Sequence, residues 1–327
     1  MNQVRGEKGI ALVLALLVIT ILCVMVVEFN YLMRVDITIA ANIRDDSRAL
    51  YIAKAGVNTA IAVLKQDDNN YDAPSEDWGK LAELSRIPLA YSEYLGEGSI
   101  IIDISDEDSK INVNKIVGEN SKSLHQLNRL FELLEINTEI IDSIRDWIDS
   151  DHDTRATGGE DDYYQGLENP YPCKDSYLIT VSELLMVKGI TDEIFYGTKE
   201  RKGIRNFLTV HSDGKININT TSSLILQTLC YWEDDEWNFP VSEEIAKGIV
   251  EYRGDEEVFE DISDLKKVSG IDEIYEKIKD QITVQSNFFS VDVTGRVHMA
   301  EKRIKTIINR ERDGGERAMK IAYWAVE

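Results

Sequence analysis

Residues 10–27 read IALVLALLVITILCVMVV, and this run decides how the rest of the chain is organised. It carries no charge and a single polar residue, Thr20. As a helix, its 18 residues extend about 27 Å, near the lower limit for crossing a bilayer. The preceding MNQVRGEKG supplies Arg5 and Lys8, and Glu28, Arg34 and Asp36 follow the run. Its place at the chain's start and its basic flank argue against a buried core helix. No small-residue cleavage region follows it, as an ordinary secretory signal requires, and Glu28-Phe29-Asn30-Tyr31-Leu32 continues in helical character. The reading is a membrane anchor, with the short basic end inside and about 300 residues outside.

The helix need not stop at the membrane. Residues 30–65 contain no proline, and Leu50, Ala53, Val57, Ile61 and Leu64 recur at three- and four-residue spacing. Arg34, Asp45, Asp46, Arg48 and Lys54 suit the exposed remainder. A helix over 10–65 is about 84 Å long, apolar all round at first and amphipathic at its end. Such a shape suits an anchor that also packs a globular head. Gly56 weakens the middle of the apolar face, which close packing tolerates.

Beyond the helix, residues 66–98 form an acidic, turn-rich connection around one short helix. Ser99–Ile104 and Lys110–Asn114 read as strands on either side of a polar DEDS turn. Ser290–Val297 alternates strictly, and with Lys302–Asn309 it makes a second hairpin. One covered sheet face fits this alternation, with the long helix as the cover. The two ends of the outer part thus build a helix-on-sheet head, and a mostly helical region lies inserted between its strands. That region contains an imperfect repeat. Lys110-Ile-Asn-Val-Asn114 matches Lys215-Ile-Asn-Ile-Asn219 at an offset of 105, as Asp146-Trp147 matches Glu251-Tyr252. Val181–Ile190 matches Ile262–Ile271 at an offset of only 81. The first copy therefore carries 24 extra residues, and they must fall between 147 and 181.

The densest acidic loop sits there. Six carboxylates occur in residues 149–162. Asp149, Asp151, Asp153 and Glu160 stand at the oxygen-ligand positions 1, 3, 5 and 12 of an EF-hand loop, although Thr154 replaces the glycine of position 6. The ligand chemistry is inferred, not the EF-hand fold. So many carboxylates repel one another unless a hard cation gathers them, and calcium takes six to eight oxygens in a flexible shell. Elsewhere the chain offers little to an enzyme. It has no HExxH, no glycine-rich phosphate loop and no serine–histidine–aspartate signature, and only four histidines. With 59 Asp and Glu against 36 Lys and Arg, a net charge of -23 argues against nucleic-acid binding. Cys23, Cys173 and Cys230 exclude a disulfide-rich scaffold and leave one Cys173–Cys230 bridge open.

Lys8-Gly9 followed by the apolar helix resembles the type IV prepilin class. That resemblance implies cleavage by a prepilin peptidase between Gly9 and Ile10 and methylation of the new amino terminus. Most pilin-like chains carry glutamate at the fifth mature position, where this one has Leu14. The protein K family of type II secretion pseudopilins lacks that glutamate. Its members also resemble this chain in WIDSDHDTRATGGEDDYYQG and NPYPCKDSYLITVSELLMVKG. The repeated unit itself, with NINTTSSLILQTL, EEIAKGIVEYR and DLKKVSGI, resembles a helix-hairpin-helix or SAM-like fold.

The resemblance implies an α+β pseudopilin fold. A prepilin leader over 1–9 precedes a transmembrane and pseudopilin helix over 10–65. A small antiparallel sheet head over 66–114 and 284–310 is interrupted by an all-helical insertion over 115–283. Its two SAM-like or helix-hairpin-helix subdomains cover about 115–195 and 215–283, and 311–327 follow as a C-terminal tail. The resemblance also implies two calcium ions, adding Asp161, Asp162 and Asp175 to the four residues of the loop spacing. The implied function is non-enzymatic. It is to cap a periplasmic pseudopilus tip with the I and J minor pseudopilins, on an inner-membrane assembly platform, with the secretin or exported substrates as further contacts. A minor type IV pilus subunit and a DNA-binding competence protein are the alternative readings.

Overall fold

A computed structural model of the chain describes residues 4–67, 70–85, 98–254, 257–313 and 316–327. Helix α1 runs unbroken over Val4–Gln66, about 95 Å by its rise per residue. Residues 9–40 are exposed throughout, and from residue 9 onward the first buried position on the helix is Asp45. From there Ala49, Ile52, Ala53, Val57, Ala60 and Leu64 turn inward at helical spacing. The expected stripe is thus present but rotated, with Leu50 and Ile61 at its margin. Small residues take its centre, because the helix lies close on a sheet.

That sheet has four strands, β1 (Gly98–Asp106), β2 (Phe288–Val297), β3 (Ala300–Asp313) and β4 (Glu316–Val326), in the order β1-β2-β3-β4 and all antiparallel. Ile100, Ile102, Phe289, Val291, Val293, Ile304 and Ile308 meet α1 on one face. Helix α2 (Asp77–Ser85) adds Trp78 and Leu81 to this core. Two glycines set the distance between layers. A Cβ on Gly295 would come within 2.3 Å of the Ala49 carbonyl oxygen and 2.7 Å of the Ala53 nitrogen. A Cβ on Gly56 would meet Val293 and Ile100 side chains at 2.5 and 2.6 Å. Gly56 is therefore a contact point rather than a weakness.

The β2–β3 hairpin is the one read from the sequence; two other expectations change. Residues 311–327 are not a tail, because 316–326 form the edge strand β4. Nor does Lys110–Asn114 pair with Ser99–Ile104. Strand β1 instead pairs with β2, from Gly98 opposite Val297 to Asp106 opposite Phe289. Ile111-Asn112 belong to the insertion, where they pair in parallel with Leu208-Thr209. The rest of the 66–98 connection, 86–97, lies outside the described residues.

The insertion has its own core, separate from that under α1, and the repeat is visible in its backbone. Helices α3 (Lys122–Leu133) and α4 (Ile140–Ile148) belong to the first copy, and α5 (Glu243–Tyr252) is the counterpart of α4 in the second. Each copy is closed by a two-residue parallel pairing, Ile111-Asn112 with Leu208-Thr209 and Ile216-Asn217 with Ile282-Thr283. Asn114 clamps the backbone of Leu178 with both ends of its amide, and Asn219 clamps Phe259 in the same way. Gly189 and Gly270 adopt φ of +86° and +85° at equivalent turns, facing Ile140 and Ile245. These closures shift the expected subdomain boundaries. The first copy starts before 115 and reaches past 195, because the strand that seals it lies at 208–209. The second also carries a hairpin, Tyr231–Glu233 with Glu236–Asn238, that sequence reasoning overlooked.

Head and insertion meet over buried acids. Asp106 accepts hydrogen bonds from Ser286, Asn217 and Thr220 side chains, and Asp108 accepts from the backbone of Asn287, Phe288 and Asp213. Arg310, 1% exposed, bonds Asp67, Asp72 and the Ser286 carbonyl. The DEDS segment is thus a pivot rather than a hairpin turn. It joins the head at the end farthest from the anchor, since the β2–β3 turn at the other end places His298 Nδ1 2.9 Å from Asp45.

Candidate metal centre

The acidic loop leaves α4 at Asp149 and ends where Asp161–Tyr164 form one helical turn. Its floor is Trp147, packed edge-on against Tyr164 at 4.9 Å and Tyr171 at 6.1 Å. The Tyr164 hydroxyl accepts a bond from the Lys188 backbone, tying the loop to the helical hairpin beneath. Asp146, fully buried, organises the interior. It accepts from Arg155 Nη1 at 2.6 Å, and that nitrogen also reaches Asp149 Oδ2 at 2.5 Å. Gly158 passes so near that a Cβ there would lie 1.9 Å from Asp146 Oδ2.

Around this scaffold the carboxylates sort into groups. Asp149, Asp151 and Glu160 bring one oxygen each within 4.8 Å of one another. Glu160 also joins His152 and Asp175 in a second group of the same size. Asp149 Oδ1, both Glu160 oxygens and Asp175 Oδ1 are buried and have no hydrogen-bond partner. Burying unsatisfied carboxylate oxygens is costly. Burial pushes the Glu160 carboxyl up to about 7, and the charges of Asp146 and Asp175 add to the shift. Burial likewise raises Asp149, against the pull of Arg155. These orphaned oxygens fit a hard cation, which would invert both shifts by supplying the missing charge.

Not every expected ligand converges. Asp153 is exposed, and its backbone N–H donates to Asp151 Oδ1 at 3.0 Å. Asp161 Oδ1 accepts the Cys173 N–H at 2.7 Å, so its carboxylate holds the loop closed. Asp162 is exposed on the surface of the helical turn. Asp175 does reach Glu160, from a backbone with φ of +50°. Gly9 and Ile10 lie within α1. Asp146 and Arg155 were missed as site residues. The signal was in the repeat, where Asp146 aligns with Glu251 just ahead of the extra residues. Cys173 and Cys230 are both free and buried.

Three cations of the second repeat are paired within the fold. Lys267 pairs with Asp264 at 2.8 Å, Lys266 lies 3.9 Å from Glu276, and Arg253 bonds the Ile218 and Thr221 carbonyls.

Residues 109–198 match the family described as type II secretion system (T2SS), protein K, and residues 211–283 match the helix-hairpin-helix motif. The type II secretion system protein K of Pseudomonas aeruginosa is 26% identical over 261 residues, covering 77% of this chain and 74% of that protein. The protein K of Aeromonas hydrophila is 22% identical over 215 residues, covering 60% of this chain and 62% of that protein. Among solved structures, the GspK-GspI-GspJ complex of the enterotoxigenic Escherichia coli type 2 secretion system contains a similar fold. The TM-score is 0.66 at 18% identity, over 86% of this chain and 96% of that one.

Proposed function

The chain belongs to the type II secretion system protein K family of minor pseudopilins, and on that premise we propose that it caps the tip of the pseudopilus. One observation carries this reading. The insertion joins the head through Asp106 and Asp108, at the end of the sheet farthest from the apolar segment of α1. Bulk at that end obstructs a further subunit from stacking above, while the exposed stretch of α1 below remains open to neighbouring helices. The role is structural and non-enzymatic. A prepilin peptidase cuts between Gly9 and Ile10, and the new terminus is methylated. The apolar helix then holds the protein in the inner membrane with the head and insertion in the periplasm.

The partners are the I and J minor pseudopilins, in keeping with the complex in which the similar fold occurs. The assembly platform extracts the chain, and the secretin or exported substrates lie ahead of the tip. Asp149, Asp151 and Glu160 hold calcium, and a second ion position adjoins on the far side of Glu160, towards Asp175. Calcium supplies the positive charge that the orphaned oxygens lack. Asp161 holds the loop closed around it through the Cys173 N–H. The test is purification of the tagged full chain from secretion-competent cells in mild detergent. Recovery of both the I and J pseudopilins is expected; recovery of neither, with the chain intact and folded, overturns the reading.

A further inference from the structure

The hairpin of Tyr231–Glu233 with Glu236–Asn238 is not accounted for by packing. At the repeat offset of 105 its residues fall opposite helix α3, so the second copy has a hairpin where the first has a helix, with no change in length. The core of the insertion contains none of Tyr231, Trp232, Trp237 and Phe239. Trp237 lies flat against His125 of α3, with 4.0 Å between ring centres and 22° between planes. Trp232 is its cross-strand partner, meets it edge-on at 5.5 Å and is 56% exposed. An open tryptophan held on a firm element is the residue type that most often dominates protein interfaces.

Side chains alternate across the hairpin, so its two faces differ. On one face Tyr231 and Glu233 clasp a cation from this chain. Lys277 Nζ stands 4.2 Å over the Tyr231 ring, and it donates to the Tyr231 hydroxyl at 3.0 Å and to Glu233 at 2.8 Å. On the other face the larger Trp232 ring stands open, and the acids of the turn beside it, Asp234, Asp235 and Glu236, are exposed. Among the described residues no lysine or arginine lies over Trp232, and none pairs with these three carboxylates. The second face thus repeats the ring and carboxylate of the first without the cation.

We propose that the Trp232 face of this hairpin docks an arginine-bearing segment of another protein. A guanidinium stacks on the Trp232 ring and turns its N–H groups to the carboxylates of the turn. The occupant follows from charge complementarity, and from the opposite face, where the same two kinds of group already hold a cation. Arginine suits the open face better than lysine. Its guanidinium is planar and weakly hydrated, so it lies flat on an aromatic ring while its edge reaches carboxylates. A cation from outside also relieves a repulsion built into the hairpin, where Glu233 stands directly opposite Glu236. The inference rests neither on the calcium positions nor on placement at the tip.

The test uses the full chain in detergent and a dye-labelled peptide of alternating arginine and glycine, followed by fluorescence anisotropy. Saturable binding is expected. Trp232→Ala should weaken it at least about fivefold, and so should Asp234→Asn, Asp235→Asn and Glu236→Gln together. Asparagine tolerates the left-handed turn, where Asp234 and Asp235 have φ of +54° and +62°, and an unchanged thermal midpoint checks that each variant is folded. Citrulline in place of arginine, uncharged but of similar shape, should weaken binding as much. Removing three exposed charges from the first copy, by Asp192→Asn, Glu193→Gln and Glu200→Gln, should leave it unchanged. Equal weakening by this remote set would show only the general pull of an acidic chain and overturns the proposal. So does wild-type affinity in Trp232→Ala, equal binding of the citrulline peptide, or no binding at all. Binding of chitohexaose in place of the peptide, lost in Trp232→Ala, would make the ring a sugar platform and overturns it as well.

Discussion

Asp108 shows how much a single side chain does at the junction. Its carboxylate accepts from three backbone N–H groups, on Asn287, Phe288 and Asp213, and so pins the return of the chain into the sheet. Burial and the neighbouring Asp106 carboxylate nevertheless push it up to about 7, from an ordinary value of 3.8. The folded chain therefore holds a proton that the unfolded chain releases. Its contribution to stability is fully present below about pH 4 and is lost as pH rises through about 7. The thermal midpoint should fall between pH 5 and 8, and D108N should show a shallower fall from a lower starting point. A wild-type midpoint that rises over this interval contradicts the assignment. Little of this was legible beforehand. Lys110-Ile-Asn-Val-Asn114 alternates like a strand, but its asparagines are used as clamps on distant backbone, at Ser212 and Leu178. Alternation reports which side chains turn inward, not what they bind.

At the scale of the loop between α4 and the Asp161–Tyr164 turn, sequence did better. Carboxylate spacing picked out a loop in which Asp149, Asp151 and Glu160 converge, and the mismatch of repeat offsets showed that the loop was an addition to one copy. What spacing could not separate were acids that face inward from acids that hold the loop together, because both are dense in the same few residues. Nor could it show that Arg155 is an internal cation. Substituting D149A with D151A should abolish calcium binding and lower the protease resistance of the outer part, measured by titration and limited digestion. R155A leaves the fully buried Asp146 without its guanidinium and should destabilise by about 3 kcal/mol without calcium. The deficit should shrink in calcium, as read from paired denaturation curves. Equal loss under both conditions would show that Arg155 and the metal do not share the electrostatic work.

Across the whole molecule, the anchor, the helix-on-sheet head and the duplicated insertion could all be read, because each announces itself by a local period or a repeat. The partner of β1 and the role of 316–326 could not, since strand pairing joins distant segments. One local signal was overlooked, the Asp313-Gly314-Gly315 run that suits a hairpin turn. The β1–β2 pairing itself sets the order in which the protein must fold. Asp106 meets Phe289, 183 positions later, with the whole insertion between them. Closing so long an unstructured loop costs about 3 kcal/mol more than closing a tight turn. Once the insertion has folded, Glu107 N and Phe288 O lie 2.9 Å apart and most of that cost has already been met. Amides of the two repeats should therefore gain protection before those of β1 and β2 in pulsed hydrogen exchange during refolding in detergent, and the reverse order would refute this. The pivot of buried acids makes the head a late product of the domain it carries. A lesion that slows either repeat should leave the anchor helix inserted beneath a sheet that has not yet closed.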